Sequence, residues 1–313
     1  MMIEKIRHEI NKIIIGHNEL IDSMLIGLLS EGHVLIEGVP GVAKTTAVKS
    51  LADSLGFNFK RIQFTPDLLP SDIVGSEILD IKNNDFKIKF GPVFTNLLLA
   101  DEINRAGAKV QSALLEAMAE RQVSIADETF KLQEPFMVLA TANPVDQDGT
   151  YDLPEASLDR FMLKVLVSYN TIDEEFDIVM RIANSSFEAI NKIASKEELK
   201  ELKQSVKDIH VDDELLKYML NIIFCTREPE NYNLDDISEY IDFGASPRAS
   251  IDLYKASKAH ALISGRDFVT PFDISKMAYP VLRHRLILSY NATAQNIGAD
   301  DVIKTILDAI SAP

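Results

Sequence analysis

Gly38-Val39-Pro40-Gly41-Val42-Ala43-Lys44-Thr45 joins an apolar run to a helical one through a glycine-bearing turn. The apolar run His33-Val34-Leu35-Ile36-Glu37 before it predicts a short buried strand, and Ala43 to Ala52 after it predicts a helix ending near Gly56. A strand, a glycine-bearing turn and a helix N-terminus make a cradle for an anion. The free N–H groups of the turn and the positive end of the helix dipole point the same way. In that reading the backbone from Gly38 through Thr46 wraps phosphates, Lys44 reaches the β- and γ-phosphates, and the Thr45 hydroxyl holds Mg²⁺. Ala43 departs from the G-x-x-x-x-G-K-[ST] pattern, standing where the last glycine belongs. The competing reading of this turn alone is an ordinary helix entry.

Working outward, Leu97-Leu98-Leu99-Ala100-Asp101-Glu102 shows no alternation, as expected of a central parallel strand buried on both faces. Its two terminal carboxylates fall where doubly wound sheets bind ligands. A buried acidic pair is costly unless a cation offsets it. Mg²⁺·ATP supplies that charge, with Asp101 organising the metal shell and Glu102 polarising the attacking water. An acidic surface turn, the bland alternative, fits poorly with so apolar a lead-in.

Phe136 to Thr141 predicts another buried strand, followed by Ala142-Asn143-Pro144. Asn143 could close a loop through its own backbone hydrogen bonds or orient the water near a γ-phosphate. Strands are also expected at 57–64 and 162–167. Hairpins are expected at 78–90, with a turn at Asn83-Asn84-Asp85, and at 123–132. The first hairpin reads equally as surface structure or as a partner-contacting loop. Helices are expected at 3–15, 18–30, 71–76 and 108–121.

Beyond Val167 the chain changes character. Thr171-x-x-Glu174 and Ser195-x-x-Glu198 are capping boxes that open helices. Further helices are expected at 211–226, 247–263, from Thr270 through Arg283-His284-Arg285, and at 294–311. An acidic loop covers 228–242. Pro247 begins one of these helices, which leaves Arg248 in a first turn whose dipole opposes a cation by a few tenths of a kcal/mol or more, about the scale of a helix-end charge. That misplacement favours a job such as meeting a phosphate. Arg283 and Arg285 read as a solvated helical face, or as serving the lid or a neighbouring copy. The layout is an α/β domain, 1–170, followed by an all-α domain, 171–313.

Composition narrows the function. Of 313 residues, 46% are apolar and 26% charged, as in globular proteins, and the length allows two cores. A net charge of −16 repels a phosphate backbone, so nucleic acid is an unfavoured partner. The single Cys225 forms no internal disulfide, and no Cys/His cluster has metal-ligand spacing. No apolar run reaches the ~18 residues of a membrane span. Met1 to Glu9 carries mixed charge without a signal-peptide core, so a cytoplasmic protein is expected.

The ordered set of motifs resembles the AAA+ ATPases, and among them the MoxR family. GVPGVAKT (38–45) looks like that family's phosphate loop, in which alanine before the lysine is a familiar variant. LLLADEINR (97–105) resembles its Walker B strand, and ATANP (140–144) its sensor 1, which would be Asn143. LPEASLDRF (153–161) resembles the segment supplying an arginine finger, Arg160. GASPRA (244–249) resembles sensor 2, with Arg248 contacting the γ-phosphate. His17 stands where glutamine is usual on the adenine side, and Gly107 replaces an expected proline. The resemblance implies an AAA+ P-loop NTPase: a three-layer domain with a parallel five-stranded sheet of order 5-1-4-3-2, then an all-α lid. It also implies ATP and Mg²⁺ as cofactors and a homo-oligomeric ring, a hexamer, in which Arg160 acts in trans. A separate von Willebrand factor A protein and a client complex, served by remodelling or by cofactor or metal insertion, are the partners it suggests. Other readings are a nucleic-acid-acting helicase-like or loader ATPase, a magnesium-chelatase-type motor subunit, and a nucleotide-binding scaffold with little turnover.

Overall fold

The computed structural model describes every residue except Met1, Pro40, 144–150, Asp152 and 185–187. The chain begins with α1 (Met2–Asn11) and α2 (Asn18–Leu29), then β1 (Val34–Gly38), α3 (Lys44–Leu55), β2 (Phe59–Gln63) and α4 (Pro70–Val74). A hairpin of β3 (Gly75–Asp80) and β4 (Asp85–Phe90) precedes β5 (Leu97–Asp101) and α5 (Ala108–Glu120). A second hairpin, β6 (Gln122–Ile125) and β7 (Glu128–Lys131), precedes β8 (Met137–Ala142), α6 (Glu155–Leu158), β9 (Leu163–Val167) and α7 (Ile172–Ala183).

Strands β2, β5, β8, β1 and β9 lie side by side in that order. Counting only these five in chain order and starting from the β9 edge, the sheet reads 5-1-4-3-2, as expected. The β2–β5, β5–β8 and β8–β1 pairings are parallel. Crossovers of this kind place helices on both faces, which is why β5 and β8 are apolar without alternation: Leu97 to Ala100 and Met137 to Ala140 are all buried.

Both hairpins stand off the sheet as separate two-stranded ribbons. Their bases share an aromatic cluster. The Phe90 ring lies 4.4 Å from Phe94 and 5.1 Å, edge-on, from Phe130. Ile78, Leu79, Ile81 and Phe86 of the first hairpin are exposed.

The chain then continues through α8 (Lys196–Asp208), α9 (Asp213–Cys225), α10 (Asp235–Ser238), β10 (Ile241–Phe243), α11 (Pro247–Ile263), α12 (Pro271–Leu282), β11 (Ile287–Leu288), α13 (Tyr290–Ala294) and α14 (Ala299–Ala309). Compactness divides the chain into two units. One comprises Met1–Met24, His33–Arg160 and Val165–Lys196, the other Leu25–Gly32, Phe161–Lys164 and Glu197–Pro313. Among the described residues, the second unit is helical apart from the antiparallel β10–β11 ribbon, the first two residues of β9 and an isolated parallel bridge between His210 and Phe268. The acidic stretch 228–242 carries a 3₁₀ turn at Pro229–Tyr232, α10 and β10, where a loop was expected. The last expected helix, 294–311, is α14, which starts later at Ala299, and the short α13 before it was not anticipated.

Arg283 and Arg285 correct the expectation of a solvated helical face. They lie just past the end of α12, and Arg285 is buried, donating to the carbonyls of Phe161, Met162 and Val281 and pairing with Asp252 at 2.6 Å. Arg283 pairs with Asp300 and donates to the Lys164 carbonyl. A buried guanidinium needs its donors satisfied, and short carbonyl-rich loops satisfy them. Arg266, His260 and Thr270 likewise converge on buried Asp273. Burial would raise that carboxyl, but these partners hold it well below the usual range.

Candidate functional site

The turn between β1 and α3 is built from residues in left-handed backbone. Gly41 has φ 88° and Ala43 φ 52°, ψ 22°. That conformation explains why the motif calls for glycine at the alanine's position: an L side chain there crowds its own backbone. Gly38 is needed for a different reason, since a Cβ would come within 2.3 Å of the Val167 carbonyl on β9. No side chain caps α3. Among the described residues, no acceptor meets the N–H groups of Lys44, Thr45 and Thr46, the first helical bond being Ala47 N–H to Ala43 C=O. Those donors are what an anion at a helix N-terminus would take up.

The turn opens onto a cavity of about 350 Å³ within the first unit, lined by Gly41 through Thr46, Arg61, Asp101, Glu102, Thr141 and Asn143. Lys44 Nζ donates to the Gly38 carbonyl at 2.6 Å. Burial holds its ammonium below the ordinary lysine value, partly offset by Asp101, Glu102 and Glu37. The loop and the β5 carboxylates, separated by more than fifty residues in sequence, therefore share one space and one electrostatic field.

Three side chains that the sequence reading missed position the acidic pair. Thr141, at the end of β8, donates its hydroxyl to Asp101 at 2.6 Å and accepts the Glu102 N–H at 2.9 Å. Arg61 pairs with Asp101 at 2.6 Å, and Gln63 donates to Glu102 Oε2 at 2.8 Å. Alternation along β2 carries the signal for the last two: residues 61 and 63 share a face, and Gln63 pairs in register with Asp101. Glu102 itself sits at φ 56°, ψ 52°, so the chain turns sharply as it leaves the sheet and Arg105 reaches the same carboxylate at 3.3 Å. Metal fit can be judged from the donors. The Thr45 hydroxyl at the helix start and the Asp101 carboxylate, which line the same cavity, are hard oxygen ligands, the kind that Mg²⁺ takes.

Of the residues expected to act, those from Gly41 to Thr46, Asp101, Glu102 and Asn143 meet at this cavity, while Pro40 lies outside the described residues. Arg160 follows α6 as an exposed residue, and among the described residues none pairs with its guanidinium. Arg248 is exposed in the first turn of α11, in the second unit, where Ser246 caps the helix by accepting the Arg248 N–H at 3.1 Å. His17 hydrogen-bonds Asn170 at 2.9 Å, which clips the Gly16-His17 turn to the start of α7.

Residues 33–163 match the family described as "ATPase family associated with various cellular activities (AAA)", and residues 235–306 match its AAA lid domain. The chain is 46% identical over 99% of its length to Chaperone MoxR1 of Mycobacterium tuberculosis, covering 82% of that protein. It is 30% identical to Protein MoxR of Paracoccus denitrificans, over 90% of this chain and 87% of that one. A candidate ATPase from Cytophaga hutchinsonii, solved by crystallography, superposes with a TM-score of 0.94 at 45% identity, covering 100% of this chain and 95% of that chain.

Proposed function

Because the chain belongs to the MoxR family of AAA+ ATPases, we propose that it hydrolyses ATP in a ring of six identical copies and uses the cycle to remodel a protein complex. The observation that carries this reading is the meeting of Lys44 and Thr45 with Asp101 and Glu102 at one cavity. In it, the Gly38–Thr46 backbone and Lys44 bind the triphosphate, and Glu102 takes a proton from the attacking water. Thr45 and Asp101 would hold Mg²⁺, which supplies charge neutralisation at the phosphates. Asn143 orients the water. Arg160 reaches the neighbouring copy's nucleotide, and Arg248 answers the γ-phosphate from the helical lid. Residues 1–170 act as the nucleotide-binding core and 171–313 as the lid. The exposed apolar hairpin β3–β4 is suited to hold a client, and a separate von Willebrand factor A protein would bring that client in, for remodelling or for metal or cofactor insertion. The setting is the cytoplasm; among the described residues no helix is long and apolar enough to cross a membrane.

Phosphate release and binding of a fluorescent ATP analogue, measured together, test the assignments. Glu102→Gln should bind ATP as before and lose turnover by about 10² to 10⁴-fold, the usual worth of a general base. Arg160→Ala should bind normally and lose about 10³-fold or more. Hydrolysis at the unmodified rate in either variant refutes the role given to that residue.

A further inference from the structure

Two surfaces of this chain, neither used by the nucleotide cavity, fit each other. The first is α7. Its Glu174 closes the capping box with Thr171 and meets Asn170, and its Arg181 donates to the carbonyls of Asn11 and Lys12. Glu174, Ile178 and Arg181 recur at helical spacing, so the face turned to the body is largely polar. The opposite face, Ile172, Phe176, Val179 and Met180, is apolar and open, with Ile172 88%, Phe176 64% and Val179 61% exposed. An amphipathic helix held by its polar side presents the stripe that would ordinarily seek a core. Asp173, Glu175 and Asp177 flank that stripe.

The second surface is a groove of about 650 Å³ within the other unit, where α8, α9 and α11 meet the end of α2. Val206, Leu216, Leu220 and Ile251 give it an apolar floor. Lys203, Lys207, Lys255 and Lys258 line it as well, with Glu31 the one carboxylate among the lining residues; Lys207 and Lys255 are exposed at its edge, whereas Lys258 is buried. Lys203 is paired with Glu31, and Lys258 donates to the Lys207 carbonyl. Among the described residues no carboxylate pairs with Lys207 or Lys255.

We infer that the apolar stripe of α7 on one copy docks in the lysine-rimmed groove of the next copy. Apolar meets apolar at the centre, and Glu175 and Asp177 meet Lys207 and Lys255 at the edge. The occupant is a second copy because the matching helix, in both pattern and charge, is on this chain. The two surfaces differ, so the contact is head-to-tail, the kind that propagates around a ring when the rotation closes. This inference rests on the ring reading above and names the faces that build it.

Disulfide trapping in the full-length Glu102→Gln chain with ATP tests it. One tagged copy carries Val179→Cys and a differently tagged copy Ile251→Cys. Native Cys225 is buried and its thiol pushed up to about 11, so it stays silent. The expected result is a disulfide between the two tags that needs both new cysteines. In parallel, Phe176→Asp should raise the concentration for half-assembly at least tenfold, and Lys255→Glu should do the same until Glu175→Lys is added. Phe176 and Ile251 are more than half exposed, so neither substitution opens a core. A ring that forms without the cross-copy disulfide and ignores Phe176→Asp overturns this interface and leaves the ring standing. In a third preparation both cysteines are placed in one chain; a disulfide that forms there within the chain, and never between the two tags, also overturns it, by assigning the groove to the chain's own helix. An unmodified chain that stays monomeric with ATP at every concentration overturns the ring itself.

Discussion

Ala43 shows how closely two small energies can balance. Left-handed backbone costs an L residue about 1 kcal/mol, and glycine gives back up to about 1 kcal/mol in lost chain entropy. Ala43→Gly should therefore move the urea unfolding free energy by less than about 0.5 kcal/mol. Ala43→Val, β-branched at φ 52°, should destabilise by more than about 1 kcal/mol. Gly107 offers the converse. It sits at φ −63° with Ala106 extended before it, a Cβ there meets nothing within 4 Å, and its N–H is not used among the described residues. Gly107→Pro should stabilise by about 0.4–1 kcal/mol by restricting the unfolded chain, read as a rightward shift of the same denaturation curve. At this scale the phosphate-loop residues and the acidic pair were legible because the chemistry fixes residue type and spacing together. Arg61, Gln63 and Thr141 were not, since their work depends on which strands lie beside β5, and no local pattern states that.

Elements were legible where the period was strong. α11 runs over Pro247–Ile263 as proline, cap and periodicity indicate, whereas Arg283 and Arg285 looked like a solvated face because burial of a guanidinium is decided by distant carbonyls. The entry to β1 carries a further consequence. His33 is buried; its Nδ1 accepts the Val138 N–H at 2.9 Å and its Nε2 faces the Met118 carbonyl at 3.2 Å, an arrangement that suits the neutral ring. Burial lowers its pKa from 6.5 to about 4. The unfolded chain therefore binds the extra proton between those values, and stability is fully present above about pH 6.5 and falls as pH drops toward 4. The loss from this ring is about 3 kcal/mol. Urea titrations across that window should show the slope, and His33→Gln, which has an acceptor and a donor but no titration, should lessen it by the part due to this ring, leaving the part due to buried His284, whose pKa burial lowers likewise.

For the whole molecule, the order of the five strands was legible only through the family resemblance; no pattern in the chain states it, and the structure shows what it achieves, since β1, β8 and β5 lie side by side and their ends converge at the cavity. The head-to-tail faces were not legible: α7 reads as an ordinary amphipathic helix until the structure shows which side is anchored. On the proposed ring, with Arg160 serving the neighbouring copy's nucleotide, turnover per chain should rise with protein concentration. Steady-state phosphate release should climb steeply around the assembly midpoint and then level. If the charged rim steers assembly, raising salt should move that midpoint upward.

The tilted and edge-on ring cluster of Phe90, Phe94 and Phe130 joins two hairpins that are separate two-stranded ribbons and that also touch through β3 and β6. Soldered at the root, they form a single paddle, and whatever tilts one blade tilts the other. Phe130→Ala should loosen that joint: amide exchange would quicken in β3 and β4 as well as in β6 and β7, and on the proposed function phosphate release should keep its pace while client remodelling slips.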